Sequence, residues 1–202
     1  MIKKAEIIAI LAVLFTITFQ AQAYVLTFDD ISDFSVDSLP IPDGYGGFNW
    51  EDFYYINAPA VFPDSGYDNG LVSGDYVAFA STYENPGTGR ILGDLFTFNG
   101  AYLTGAWRDG LNVKVDGYLN DVLLYSTTVV ADTTGPTWFD FDYVDIDALD
   151  FSASGGTQNP NYPFQEGTHF AIDNFTYIPE PTTFLLFGLG CIFLRTKFKK
   201  VK

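Results

Sequence analysis

The chain has 202 residues, with 25 acidic and ten basic side chains, one histidine and one cysteine. Twenty-three of the acids lie in Tyr24–Tyr177, against only Arg90, Arg108 and Lys114, so that stretch carries a net charge of −20. Such a surface repels phosphates and anionic headgroups, which excludes nucleic-acid binding. It suits divalent cations, neutral polysaccharide or plain solubility.

At the start, Lys3 and Lys4 precede an apolar run from Ile7 to Phe19, and Ala21-Gln22-Ala23 supplies a small-x-small pattern. This predicts a secretory signal, residues 1–23, removed by signal peptidase. No cysteine occurs in 24–177, so export brings no disulfide framework. That stretch is long enough for one domain with a core of its own.

Within it the hydrophobic period is two. Leu111, Val113 and Val115 alternate with Asn112, Lys114 and Asp116, and Phe139, Phe141 and Tyr143 alternate with Asp140 and Asp142. Further runs rich in aromatic and β-branched residues are Tyr24–Phe28, Gly47–Ile56, Asp75–Ala80, Asp94–Phe98, Ala101–Trp107, Val122–Val130, Ile146–Ala153 and Thr168–Ile178. Loop-like stretches occupy Pro59–Gly70, Glu84–Gly89 and Gly155–Gly167. Many short strands without a helical stripe predict an all-β sandwich or barrel. The solvated polar faces favour a β-sandwich of two antiparallel sheets, flanked by the N-terminal signal helix and a short C-terminal apolar helix.

After the last strand come Pro179-Glu180-Pro181, the apolar run Thr182–Leu194 and a basic end carrying Arg195, Lys197, Lys199, Lys200 and Lys202. As a helix the apolar run spans about 20 Å, short of the roughly 30 Å of a bilayer core. The basic end would stay cytoplasmic, so the segment suits transient membrane insertion.

Few residues carry obvious chemistry. His169 opens the last strand without a serine or cysteine motif beside it, and neither G-x-S-x-G nor a histidine pair for a catalytic metal occurs. Glu51, Glu84 and Glu166 are scattered, which argues against a paired-carboxylate glycosidase. Asp140–Asp150 lacks the central glycine and terminal glutamate of an EF-hand loop and reads as two strands and a turn with aspartates on the wet face. Asp64–Gly70 reads as a turn. The exposed-aromatic candidates for carbohydrate binding are Tyr54, Tyr55, Trp107 and Trp138, with core positions as the alternative for each.

Pro179, Glu180 and Pro181, the Gly188-Leu189-Gly190 centre of the apolar run and the basic end together resemble the PEP-CTERM sorting signal of Gram-negative bacteria. The resemblance covers residues 178–202. Ile178 stands where that family usually has Val, and the basic end is mostly Lys rather than Arg. It implies processing by an exosortase and delivery to the cell envelope or extracellular matrix, in the company of exopolysaccharide and biofilm production.

Residues 24–177 are in turn similar to the jelly-roll modules found before such tails. The similarity rests on Phe28-Asp29-Asp30, Gly44–Trp50 and Ala171-Ile172-Asp173-Asn174-Phe175. The fold alone does not transfer a ligand, but the aromatic content and acidic surface make neutral extracellular polysaccharide the expected ligand of a non-enzymatic domain, with a purely structural matrix component or a glycan-active enzyme as alternatives. The similarity implies one structural calcium ion between the first and last strands, held by Asp29 or Asp30 and Asp173. The alternative is that Asp173 accepts backbone hydrogen bonds in a turn.

Overall fold

The computed structural model describes residues 22–31, 38–81 and 87–180. The expected signal helix and the sorting tail from Pro181 onward, with Arg195, Lys197, Lys199 and Lys200, lie outside the described residues. Residues Ala23–Pro179 form one compact unit. Both of its hydrophobic clusters lie wholly inside that span, so its fold is self-contained.

The unit is an all-β sandwich. Its strands are β1 (Tyr24–Leu26), β2 (Leu39–Pro40), β3 (Phe48–Glu51), β4 (Phe53–Asn57), β5 (Tyr76–Ala80), β6 (Thr88–Gly105), β7 (Arg108–Leu119), β8 (Val122–Ala131), β9 (Thr137–Gln158) and β10 (Phe170–Pro179). They run in the order β2-β4-β5-β10-β6-β9-β7-β8, with β1 beside β10 and β3 beside β6. Every pairing is antiparallel. The expected layers are joined into one hydrogen-bonded network through the long strands β6 and β9.

Those two strands are longer than the sequence suggests. Asp94–Phe98 and Ala101–Trp107 merge into β6, and Phe139–Tyr143 and Ile146–Ala153 merge into β9. The aspartates that look like a turn between the last two are Asp142 and Asp145, both left-handed (φ 49° and 56°). They are accommodated by shifts of register against β6 rather than by leaving the sheet. Gly100 permits the close approach of β6 to β9, because a Cβ there would lie 2.3 Å from the Phe139 carbonyl oxygen. Conversely, the single expected segment Gly47–Ile56 divides into β3 and β4 at Asp52, where φ is 60°.

One face of nearly every strand feeds the main core. Leu111, Val113 and Val115 of β7 are fully buried on one face, as their alternation predicts. Phe98 stacks between Phe141 and Phe175, with ring centroids 5.1 and 4.7 Å away. Each such buried Phe contributes about 1.5–3 kcal/mol by removal from water. All five residues of β5 are buried. Tyr76, Ala78 and Ala80 face the main core, and Val77 and Phe79 face a second cluster. That cluster is closed by two one-turn helices, Ala58–Val61 and Gly66–Asn69, and by Trp107. Asn57 caps the first helix and Ser65 the second, each accepting from backbone N–H groups.

Candidate functional site

The two one-turn helices and the loop after β9 enclose a surface groove. Its volume is about 240 Å³, and its lining includes Phe62, Trp107, Asn161, Tyr162, Phe164 and Gln165. Trp107 forms the floor, only 4% exposed, with edge-on contacts to Phe62 at 5.1 Å and Tyr162 at 5.8 Å. Phe164 stands at the rim with 91% of its surface in water.

Hydrogen bonds hold the two walls in place. Asn159, nine-tenths buried, donates to Asp109 and Thr133 and accepts from the Asn161 backbone N–H. Its own N–H donates to the Trp107 carbonyl. Gln158 donates to the Tyr162 carbonyl at 2.7 Å. The Tyr162 hydroxyl crosses the groove to donate to the Asp64 carbonyl, also at 2.7 Å. Burial pushes the Tyr162 phenol above its ordinary pKa, and the nearby carboxylates of Asp109, Asp64 and Asp68 push it further, so it remains a donor. Those carboxylates give the groove a negative field. It therefore offers aromatic faces and amide or hydroxyl groups, in surroundings hostile to an anionic ligand.

The four aromatic candidates do not share one concave sheet. Trp107 alone lines the groove. Tyr55 is 4% exposed in the main core against Tyr76, so it offers no platform. Tyr54 is half-buried, stacked on Phe79 at 5.7 Å beside the second cluster. Trp138 is half-buried on β9, away from the groove, edge-on to Tyr102, with its indole N–H donating to Asp140. Sequence reasoning missed Phe62, Tyr162 and Phe164. The available signal was aromatic residues set among prolines in "VFPDSGY" and "NYPFQ", since binding residues are often carried on loops.

The three acids expected to hold calcium have hydrogen-bonding work of their own. Asp173, 1% exposed, accepts from the backbone N–H groups of Val72, Ser73 and Asn174 and from the Ser73 hydroxyl, at 2.7 to 3.2 Å. Burial pushes its carboxyl above the usual carboxylate range, with these bonds acting in the opposite direction. Asp29 accepts from the N–H groups of Asp75 and Tyr76. Asp29 and Asp173 thus grip the two ends of one loop, residues 72–76. Asp30 accepts from the Tyr45 hydroxyl, which itself accepts from the Phe28 N–H. At Asp173, where both oxygens accept, a cation would compete with those donors, and among the described residues no group of three His, Cys, Asp or Glu side chains could hold a metal ion. The donor set suits a hydrogen-bonded loop clasp better than calcium.

His169 is hydrogen-bonded through Nδ1 to the buried Tyr67 hydroxyl at 3.0 Å and stacks on Phe79. Burial lowers its pKa, so it is a neutral packing residue near pH 7. Among the described residues no helix is long and apolar enough to cross a membrane.

No protein-family model matches the chain, and no curated protein matches it. Among solved structures, it is similar to a DUF4465 family protein from Bacteroides ovatus, at 14% identity and a TM-score of 0.45, covering 79% of this chain and 99% of that one. It is also similar to the carbohydrate-binding module TmCBM61, solved with β-1,4-galactotriose, at 13% identity and a TM-score of 0.36, covering 72% of this chain and 100% of that one. A third likeness is to CBM51 of a Clostridium perfringens protein, solved with methyl-galactose, at 8% identity and a TM-score of 0.35, covering 76% and 99%. At these similarities no ligand passes from them to this chain.

Proposed function

We propose that Ala23–Pro179 is a non-catalytic binding module for neutral extracellular saccharide, and that its ligand lies in the groove of Phe62, Trp107, Tyr162 and Phe164. The observation that carries this reading is Phe164. A phenylalanine 91% exposed at the mouth of an aromatic-floored groove extends that groove's apolar surface and offers a free ring face to a ligand. The C–H face of a pyranose ring fits that role, and Asn161 and Gln165 beside it can bond ring hydroxyls. The groove is smaller than the ~300–1,000 Å³ typical of drug-sized ligands, so it takes a short segment of a polysaccharide. Acidic glycans are disfavoured by the net charge of −20 over Tyr24–Tyr177. The non-catalytic part of the reading is supported by His169, the lone histidine, whose Nδ1 is hydrogen-bonded to the buried Tyr67 hydroxyl.

In this reading the module is exported by the 1–23 signal. The 178–202 tail is a PEP-CTERM address, read by an exosortase during transient membrane insertion, that leaves the module in the envelope or matrix of a Gram-negative bacterium. A glycan array probed with Ala23–Pro179 tests the binding half. Retention by neutral glycans supports it, and retention by none, or by acidic glycans alone, overturns it. Intact-mass measurement of protein recovered from the native envelope tests the sorting half, which requires Tyr24 first and no Lys202.

A further inference from the structure

Sheet edges are ready-made pairing sites, and this protein treats its edges unequally. At one end of the sheet β2 has two residues, one of them Pro40, and the side strands β1 and β3 have three and four. Short edges and proline are standard means of blocking further pairing. At the other end lies β8, ten residues with the sequence VLLYSTTVVA, which pairs only with β7 among the described residues. It contains no charge, proline or glycine, within a stretch carrying a net charge of −20. Val122, Leu123, Leu124 and Val130 are 60, 49, 46 and 55% exposed. The ladder with β7 skips a residue at Leu124, after which Tyr125–Ala131 runs without interruption.

We propose that β8 is a self-association edge: it pairs antiparallel with β8 of a second copy of this chain, about a two-fold axis at Thr128. An antiparallel pairing of identical strands closes on itself, so the product is a dimer and not a fibre. The axis at Thr128 uses the whole uninterrupted stretch, setting Thr128 opposite its own counterpart and Ser126 opposite Val130. It offers about six to eight interchain backbone hydrogen bonds and a Thr–Thr cross-strand pair. A second copy is the occupant because β8 carries no charge, so pairing it with itself sets no like charges opposite one another although each domain carries −20.

The test is sedimentation velocity on Ala23–Pro179 over a wide concentration range, together with two variants. Wild type should show a concentration-dependent doubling of mass that strengthens with salt. Thr128→Glu should weaken the dimer at least tenfold, because it opposes two like charges across the axis. Its fold should hold, since Thr128 faces Lys114 across β7 within the same chain. If Thr128→Glu fails to fold, Val130→Glu tests the same seam by setting a charge opposite Ser126 of the second copy at a position 55% exposed in the single chain. In a unit without cysteine, Thr128→Cys should form an interchain disulfide under mild oxidation. A monomer at every concentration, a dimer indifferent to both glutamates, or no Thr128→Cys cross-link would overturn the proposal.

Discussion

Asp173→Asn removes the charge at the buried end of the loop clasp while keeping the side chain's shape. Three backbone N–H groups donate to the carboxylate, Val72 and Ser73 to Oδ2 and Asn174 to Oδ1, and the Ser73 hydroxyl shares its one proton between Oδ1 and Asn174 Oδ1. An asparagine amide has one acceptor oxygen, so the donors on the other oxygen lose their partner and meet an NH₂ group instead. Each stranded buried donor costs about 1–3 kcal/mol, and the relieved charge desolvation returns part of that, leaving a net loss of about 3 kcal/mol. For a domain of this size that lowers the melting temperature by roughly 6–12 °C. The pH dependence gives the sign. Because burial raises the folded-state pKa, native Asp173 binds its proton more tightly than the unfolded chain does. Wild type therefore gains on the variant as pH falls from that raised pKa to the ordinary carboxylate value near 3.9. The assay is thermal melting of both proteins across acid pH, each with EDTA and with calcium. A difference below about 2 °C would refute the clasp, which predicts the full shift worked out above. A calcium-dependent gain in wild type that the variant lacks would instead place an ion there.

Three further outcomes follow from the packing. Gly66→Ala should destabilise by at least 2 kcal/mol, about the scale of a forced backbone shift, because its Cβ would lie 1.9 Å from the Gly105 carbonyl oxygen; urea unfolding measures it. His169→Gln should remove a loss of stability in the wild type that begins as pH falls below about 6.5. The imidazole, its pKa lowered by burial, resists protonation in the fold but not in the unfolded chain; melts between neutral and mildly acid pH show it. Arg90→Gln should cost about 1 kcal/mol, limited by partial solvent screening, and urea titration reads the loss. It frees Asp150, which faces Asp116 across β7 and β9, from the guanidinium 3.6 Å away, and it ends the cation–π contact with Tyr118.

The alternation of Leu111, Val113 and Val115 was sufficient to place β7, because one face had to be dry. The strand identity of β5 was legible from Tyr76–Ala80, though its burial on both faces was not, since the second cluster is made by segments distant in sequence. The fusion of short segments into β6 and β9 was hidden, because left-handed aspartates look alike in a turn and in a bulge. Asp173 stood out as a costly acid in an apolar strand, but only the fold shows that its compensation comes from the 72–76 loop, some 100 residues away. The groove was least legible. Phe62 and Phe164 sit in two loops whose sequences signal turns, and the anchoring of Asn159 to Asp109, Thr133 and Trp107 and the Tyr162–Asp64 bond bring those loops together.

The proposed binding of neutral saccharide depends on the exposed aromatic surface of the groove. Affinity electrophoresis of Ala23–Pro179 and its Phe164→Ala variant, in gels loaded with neutral or acidic polysaccharide, tests it most directly. Phe164 is 91% exposed, so its truncation leaves the core intact and isolates the contact. The account predicts retardation of the wild type in at least one neutral polysaccharide, loss of that retardation in Phe164→Ala, and free migration of both in acidic gels. Equal migration of the two proteins in every gel, or retardation that survives the substitution, would contradict it.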